Sequence, residues 1–393
     1  MNGKRLAFLA FSLLVMLTLV TAALFGEPTE KSSLFRYLSV FTEVFSLVRN
    51  NYVDAVPANQ LVDGAFSGVT NAVDEYSYYI PPAQMAAYNK FKEDEPSGLG
   101  LVVTKRFGYA YVISVLQSSP AEIAGVRPGD FVEFVNGKPT QKLPIWQIRS
   151  ILQESPGKTV DLRLLHGGMS KRRDVTVQRG RYDAPDPTMR EYGDVAYVRI
   201  PYFEDGTAAK FASVVAKAGA SGKKKLIVDV RDNAGGSLDE AIAAADSLLS
   251  KGLITAWSGR RVEPQQWQAD AETVYDGEVQ VLVDGSSAGT AEIFAAAISG
   301  NKRGKATGLP TFGYAVSQKL VPLTSGGALY VTVGHFTTPD RKPITEQGFR
   351  PDNMVDMTPL AVKKEEEQER ARDEYILQEA LELFGQKQAK TAA

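Results

Sequence analysis

The chain has 393 residues, a formal net charge of −2 at pH 7, 44% hydrophobic residues and 23% charged residues. This balance is ordinary for a globular protein with buried cores, and it gives no basic footprint of the kind that nucleic-acid-binding proteins show. The sequence contains no cysteine, which excludes disulfides, thiol nucleophiles and cysteine metal sites. His166 and His335 are its two histidines. We therefore expect neither a metal nor a cofactor, and no nucleic-acid partner.

The N-terminus has the pattern of a targeting segment. Lys4 and Arg5 precede residues 6–25, which contain no charge, no Pro and no Gly. About 20 such residues span a bilayer as a helix, and basic flanks stay on the cytoplasmic side. The pattern predicts residues 1–26 as a signal anchor in a single-pass cell-membrane protein whose bulk is periplasmic or extracytoplasmic. A cleaved signal peptide is the alternative.

The next residues have helical periodicity. Apolar residues recur at helical spacing over residues 34–50, and a second helical stretch covers residues 59–73. Residues 30–94 are therefore predicted to form a helical N-terminal region.

Residues 95–180 change to short β-type runs. The runs GLVVTK, YAYVISV, DFVEFVNG and TVDLRLLH alternate with turn signals. Two short helical stretches, at SSPAEIAG and at residues 143–153, lie between them. The pattern predicts a small β-rich domain.

From residue 185 to residue 360 apolar strands alternate with helices. DVAYVRI, KKLIVDVR and VQVLVDG read as strands, and LDEAIAAADSLLSKG and GTAEIFAAAISGN as helices. Such alternation predicts an α/β core with a mainly parallel sheet. Residues 361–393 are predicted as a charged C-terminal helix and tail. The predicted fold class is therefore α/β multidomain, behind an N-terminal membrane segment.

The β-rich region resembles a PDZ domain. Gly98, Leu99, Gly100 and Leu101 precede a strand, and SPAEIAGVRPGDFVEFVNGK follows. The resemblance implies that this glycine-containing loop binds a chain-terminal carboxylate, and that the following strand accepts an extended peptide as an added strand. A β-module that only packs against its neighbours is the alternative.

A wider resemblance covers residues 35–385. The segments that carry it, in order, are NNYVD, VDEYSYYIPP, LIVDVRDNAGGSLDEAI, GSSAGTAEI, GLPTFG and HFTTPDRKPITEQGFRPD. Together they resemble the C-terminal processing peptidases, PDZ-containing serine peptidases of the S41 type with a Ser-Lys dyad.

Both dyad positions of that family are replaced in this sequence. The family's serine lies three residues before a glutamate in S-A-S-A-S-E, and the residue three before Glu292 is Gly289. The family's lysine follows T-F-G, and the residue here is Tyr314. The family's glutamine, four residues further on, is present as Gln318. The resemblance also implies an oxyanion hole from backbone N–H groups of Gly235, Gly236 and Thr290.

The replacements remove the chemistry of a Ser-Lys site. A serine hydroxyl needs a nearby base to act as a nucleophile; glycine has no side chain, and a tyrosine with a pKa near 10 is a poor base at neutral pH. The sequence therefore predicts an inactive pseudopeptidase that binds exposed peptide C-termini. We also expect it to contact the membrane through residues 6–25, and to form a homo-oligomer or a mixed assembly with an active relative.

Two other functions remain open. An active serine-type endopeptidase could use a relocated nucleophile at Ser286, Ser287 or Thr290. A purely structural cell-envelope scaffold would need neither catalysis nor recognition of a free carboxylate.

Overall fold

The structure is a computed structural model that describes residues 30–93, 98–154, 157–167, 169–180, 182–345, 347–360 and 365–386, with Met16 and Thr18. The chain divides into two compact units, Met1–Gly68 and Val69–Ala393. The first unit contains helix α1 (Glu30–Asn51) and most of helix α2 (Ala58–Asn71).

The predicted membrane location is wrong. Among the described residues, no helix is both long enough and apolar enough to cross a membrane. Helix α1 has 22 residues, but Arg36, Glu43 and Arg49 interrupt its apolar sequence. Residues 6–25, on which the predicted anchor and membrane contact depended, lie outside the described residues apart from Met16 and Thr18.

The second unit begins with a short strand, β1 (Tyr78–Ile80), and helix α3 (Met85–Glu93). Strand β1 lies within the region predicted as mainly helical, and it pairs with a strand near the end of the chain. The predicted domain boundaries at residues 94, 180 and 360 stay a prediction.

The β-rich domain follows as one antiparallel sheet with two helices. Its elements are β2 (Leu101–Arg106), β3 (Tyr109–Val115), α4 (Pro120–Ile123), β4 (Phe131–Val135), β5 (Lys138–Pro139), α5 (Ile145–Leu152), β6 (Thr159–His166) and β7 (Lys171–Gln178). The strand order is β2-β3-β4-β6-β7, with β5 paired to β4. Val112, Val132, Ile148 and Leu162 lie in its buried core. Burial of alternate strand residues against α5 is the arrangement that the period-two pattern predicts.

The rest of the chain forms the α/β core and its C-terminal helix. Its elements are β8 (Thr188–Tyr192), β9 (Val195–Arg199), α6 (Thr207–Ala220), β10 (Lys225–Asp229), α7 (Leu238–Asp246), β11 (Gly252–Gly259), β12 (Val262–Ala269), β13 (Glu278–Val283), α8 (Thr290–Gly300), β14 (Gly304–Gly308), β15 (Val316–Pro322), β16 (Ala328–Thr337), β17 (Asn353–Met354) and α9 (Glu365–Leu383).

The central sheet of this core has the order β17-β14-β13-β10-β9-β8. Neighbours from β17 to β9 are parallel, and only β8 runs antiparallel to β9. Val198, Val228 and Val281 are fully buried on one face against α6, α7 and α8. Ile376 and Leu381 of α9 pack on the other face. Strands covered on both faces explain the continuous apolar runs of the sequence.

The prediction of a mainly parallel sheet is correct for this sheet alone. A second sheet in the core, β1-β16-β11-β12 with β15 beside β16, is antiparallel throughout. Across the three sheets antiparallel pairings outnumber parallel ones. Strands such as VEPQQWQA and VSQKLVP are largely exposed or half-buried, so they lack the apolar alternation that reveals a strand in a sequence.

Candidate active site

The candidate site lies where two neighbouring parallel strands end. Strand β10 leads into residues 230–237 and strand β13 leads into residues 284–289, and the two segments meet in a bridge between Ala234 and Ala288. Residues at the carboxyl ends of adjacent parallel strands share one edge of the sheet, which is the usual place for a site in an α/β fold.

Gly289 is at the N-cap of α8, in a sharp strand-to-helix turn. Its φ of 63° and ψ of −109° are in a region that residues with a side chain rarely adopt. A Cβ built at this position would lie 3.6 Å from Tyr314 O and 3.7 Å from Gly235 N, which is ordinary contact. The turn therefore has room for a small side chain, and it keeps the positive φ that is typical of nucleophile turns and that glycine adopts without strain.

Glu292 joins the two segments that contain the replaced positions. Its Oε2 accepts from the N–H groups of Gly289 and Tyr314, each at 2.8 Å, and its Oε1 accepts from Gly313 N at 2.6 Å and Thr311 Oγ1 at 2.5 Å. Burial raises the pKa of Glu292, and the four donors oppose that rise by favouring the charged form. We call residues 284–292 and 311–318, which this carboxylate holds together, the site frame.

The lysine position of the family holds an aromatic and polar contact. The Tyr314 hydroxyl lies 3.3 Å from Gln318 Oε1, and Gln318 Nε2 donates to Tyr76 O at 2.8 Å. The rings of Tyr314 and Tyr76 are 4.5 Å apart between centroids. Burial raises the pKa of Tyr76. Gln318 therefore helps to position Tyr76 and Tyr314.

The predicted oxyanion residues lie together against Gly289. Gly235 N donates to Ala288 O at 3.2 Å, so this N–H is already used within the site. Gly236 has φ 95°, and a Cβ there would lie 2.4 Å from Phe203 O, so only glycine fits. The Thr290 hydroxyl donates to Gly235 O. A cleft of about 390 Å³ opens beside Gly236 and Ser237. An oxyanion role for these groups stays a prediction.

The remaining hydroxyls near Gly289 have other partners or are buried. Ser287 is fully buried, and its Oγ donates to Val230 O at 2.8 Å. Ser286 is 6% exposed. His335 is exposed on β16, and the lysines close in sequence, Lys302, Lys305 and Lys319, are exposed as well.

A second buried carboxylate group lies behind the same turn. Asp284 Oδ1 accepts from the N–H groups of Asp232 and Ser286, at 3.2 and 3.0 Å. Asp284 Oδ2 and Asp232 Oδ1 lie 3.4 and 3.6 Å from Nη2 of Arg372, which comes from α9. Together with Asp373 these carboxylates form a group whose oxygens lie within 4.8 Å of one another. We call this group the Asp284 centre.

Negative charge exceeds positive charge around the Asp284 centre. Among the described residues, the ion pairs here join four carboxylates to three guanidinium groups: Asp229, Asp232, Asp284 and Asp373 with Arg199, Arg231 and Arg372. Burial, with the charges of Asp284 and Asp373, raises the pKa of Asp232 to about 7. Burial acts the same way on Asp229, but Arg231 and Arg199 hold its pKa well below the ordinary range. Asp232 therefore keeps its proton to a higher pH than an ordinary aspartate, although Arg199 and Arg372 lie beside it.

The predicted carboxylate-binding loop of the β-rich domain is anchored against its neighbours. Gly98 bridges to Gly180, Leu99 O accepts from Ala121 N at 2.9 Å, and Gly100 O accepts from Leu116 N at 2.8 Å. Leu99 is buried and Leu101 is half-buried at the start of β2. The carbonyls of the loop are therefore engaged, while its role in binding a ligand stays a prediction.

The β-rich domain packs directly on the site frame. Ile113 of β3 is buried against Ala234 and Ala288. The Ser114 hydroxyl donates to Asp232 O, and the rings of Tyr111 and Phe312 stack at 5.9 Å. Strand β3 therefore covers one side of the turn that contains Gly289.

Comparisons with known proteins agree with this architecture. The chain matches the peptidase family S41 model over residues 194–355 and a PDZ domain model over residues 111–165. A carboxy-terminal-processing protease of Bartonella bacilliformis is 28% identical over 362 residues, which cover 91% of this chain and 82% of the relative. A probable CtpA-like serine protease of Staphylococcus aureus is 28% identical over 323 residues, which cover 81% of this chain but only 65% of the relative.

Among solved structures, the photosystem II D1 C-terminal processing protease has the same fold. It aligns with a TM-score of 0.66 and 23% identity, over 82% of this chain and 94% of that protein. Fold and motifs together define a multidomain α/β protein with a PDZ domain and an S41 peptidase core. These comparisons support the C-terminal processing peptidase family for this chain.

Proposed function

We propose that this chain is a pseudopeptidase, which binds peptide C-termini through its PDZ domain and cleaves them poorly or not at all. The observation that carries the proposal is the pair Gly289 and Tyr314 at the two dyad positions of an otherwise assembled site frame. The proposed ligands are peptides or proteins with a free C-terminus. Self-association and mixed assembly with an active relative stay predictions.

The chemistry of the site supports inactivity. Backbone donors near Gly289 could stabilise a developing oxyanion, but such donors add to catalysis only when a nucleophile attacks. No side-chain atom exists at position 289, and the Tyr314 phenol faces Gln318. Cleavage by the family's chemistry therefore lacks both its nucleophile and its base.

The geometry also argues against a relocated nucleophile. The hydroxyls of Ser287 and Thr290 donate to the carbonyls of Val230 and Gly235. Ser287 is fully buried, so a substrate carbonyl cannot reach the ~3 Å contact that attack requires.

A paired cleavage assay tests the proposal. The full chain and the variant Gly289→Ser with Tyr314→Lys are incubated with an unstructured protein that has an apolar free C-terminus. We expect no turnover by the wild type, and cleavage raised by roughly 100-fold or more above its background in the double variant, because both chemical groups are restored. Each single substitution is the matched control and should remain inactive.

Two results would contradict the proposal. One is robust cleavage by the wild type that Thr290→Ala or Ser287→Ala abolishes, which would identify a relocated nucleophile. The other concerns binding: peptides that bind equally well with a free and an amidated C-terminus would show that the PDZ domain does not recognise a terminal carboxylate.

A further inference from the structure

Strand β2 is an edge strand of the PDZ sheet, although Val103 and Thr104 in its middle are buried. In the described part of the chain it pairs only with β3, and it lies at the end of the strand order. Extended peptides bind such an edge as an added strand, through backbone hydrogen bonds to its free N–H and C=O groups. Whether those groups are already hydrogen-bonded therefore decides which ligand groups can bind there.

One carbonyl on this edge is already occupied by an arginine. Val103 is paired with Val112 of β3, but Val112 N donates to Asp130 O at 2.9 Å, so Val103 O does not face β3. Instead Arg149 of helix α5 donates to Val103 O from Nη2 at 2.8 Å and from Nε at 3.2 Å. A guanidinium thus sits between α5 and β2, where an added strand would lie.

The surroundings of Arg149 provide no compensating negative charge. Among the described side chains it forms no ion pair, and its charge acts on the phenols of Tyr78 and Tyr330, which stack at 5.0 Å. Burial raises the pKa of both phenols, so they stay neutral. A peptide that takes Val103 O would leave this guanidinium half-buried without its acceptor, which is unfavourable.

We infer that Arg149 selects ligands with an acidic side chain, and that this side chain stands two residues before the C-terminal residue. This inference rests on the proposed PDZ function, with the terminal carboxylate at Gly98–Gly100 and the last ligand residue beside Leu101. Side chains alternate along a strand, so ligand residues two positions apart lie on the same face. The ligand residue beside Val103 is therefore two positions before the last residue, which lies beside Leu101. A carboxylate there replaces Val103 O as the acceptor in a charge-assisted pair.

Binding of matched peptides to the full chain tests this inference. Three peptides with free C-termini are compared: Glu at the third residue from the end, Gln at that position, and Glu moved one residue earlier. For the wild type we expect the first peptide to bind about tenfold more tightly than the other two, as a charge-assisted hydrogen bond implies. In Arg149→Met the preference should vanish, and the Gln peptide should bind a few-fold more tightly, because Val103 O is released.

Two further variants make the result specific. Arg149→Lys keeps the positive charge but loses the paired N–H donors of the guanidinium group, so it should retain a preference of only a few-fold. It also tests the inference if Arg149→Met fails to fold. Arg172→Met removes an exposed arginine of β7 that pairs with Glu133 and should leave the preference unchanged.

Equal binding of the Glu and Gln peptides to the wild type would overturn the inference, and so would a preference that persists in Arg149→Met. If both peptides bind and amidation alone abolishes binding, the proposed function stands and only the role of Arg149 is wrong. If no free-acid peptide binds, both are wrong.

Discussion

Two buried carboxylate centres are built on the same strand-to-helix turn, and they are satisfied in different ways. Glu292 accepts four hydrogen bonds from neutral backbone and hydroxyl donors. In the Asp284 centre, two backbone N–H groups donate to Asp284 Oδ1, but guanidinium groups 3.3 to 3.7 Å away supply the positive charge. With Asp229 included, four carboxylates share three guanidinium groups. Asp284 Oδ2 and Asp232 Oδ1 have no hydrogen-bond donor among the described residues.

The difference explains how the site frame can keep its hydrogen bonds when both dyad residues are replaced. The donors to Glu292 include the N–H groups of residues 289 and 314, and backbone N–H groups remain when the side chains change. Replacing serine by Gly289 and lysine by Tyr314 therefore leaves this carboxylate fully bonded. The Asp284 centre has no such protection, because its balance depends on particular side chains and on their protonation.

The largest effect is expected from Glu292→Ala. The substitution leaves the N–H groups of Gly289, Gly313 and Tyr314 buried without an acceptor, and it separates the two halves of the site frame. We expect the free energy of unfolding to fall by about 3–5 kcal/mol, as for other buried polar networks that lose one partner. Chemical denaturation followed by circular dichroism measures this loss.

Glu278→Ala is the matched control, because Glu278 is exposed on the strand that precedes the turn. Its effect should stay within about 0.5 kcal/mol. A loss for Glu292→Ala that is no larger than the control's would show that the frame does not depend on Glu292.

A smaller and pH-dependent effect is expected from Asp232→Asn. The folded-state pKa of Asp232 is about 7, above the value of about 3.9 for an unfolded aspartate. The stability contributed by its protonation is therefore complete below about pH 4 and is lost as the pH rises through 7. The asparagine variant keeps a neutral side chain, so at pH 8 it should be more stable than the wild type by at most about 4 kcal/mol.

Melting temperatures of both proteins from pH 4 to pH 8 check this prediction. The two curves should converge near pH 4 and move apart progressively between about pH 4 and pH 7, while Asp270→Asn, an exposed control, should follow the wild type throughout. Parallel curves over the whole range would mean that Asp232 titrates normally.

The contrast between the centres also marks what a sequence can reveal. Gly289, Tyr314 and Gln318 could be located because they occupy fixed positions in short local motifs. The four bonds of Glu292 could not, since three of their donors lie about 20 residues further on, beyond any local pattern. Glu292 served in the sequence only as the reference from which position 289 was counted.

The C-terminal helix shows the same limit for charged residues. The sequence predicts a charged helix there, and helical periodicity does not distinguish one arginine of that helix from the next. In the structure Arg372 reaches the buried Asp284, and Arg231 donates to Asp373 O at 2.6 Å. Strands β12 and β15 were not predicted for a related reason, because they are polar and half-exposed and are held by pairing rather than by apolar alternation.

The smallest effect is expected from Ser287→Ala, and it separates structure from catalysis. The Ser287 hydroxyl donates to Val230 O at 2.8 Å and lies 3.2 Å from Asp284 Oδ1, so its loss should lower the free energy of unfolding by about 1 kcal/mol. When it is added to Gly289→Ser with Tyr314→Lys, the restored cleavage rate should change less than about threefold, because the hydroxyl only supports the turn. A stability loss of that size with cleavage intact assigns Ser287 to the Asp284 centre. Loss of cleavage without loss of stability would instead show that Ser287 takes part in the reaction. The preserved site frame and the missing dyad could then no longer be treated as separate.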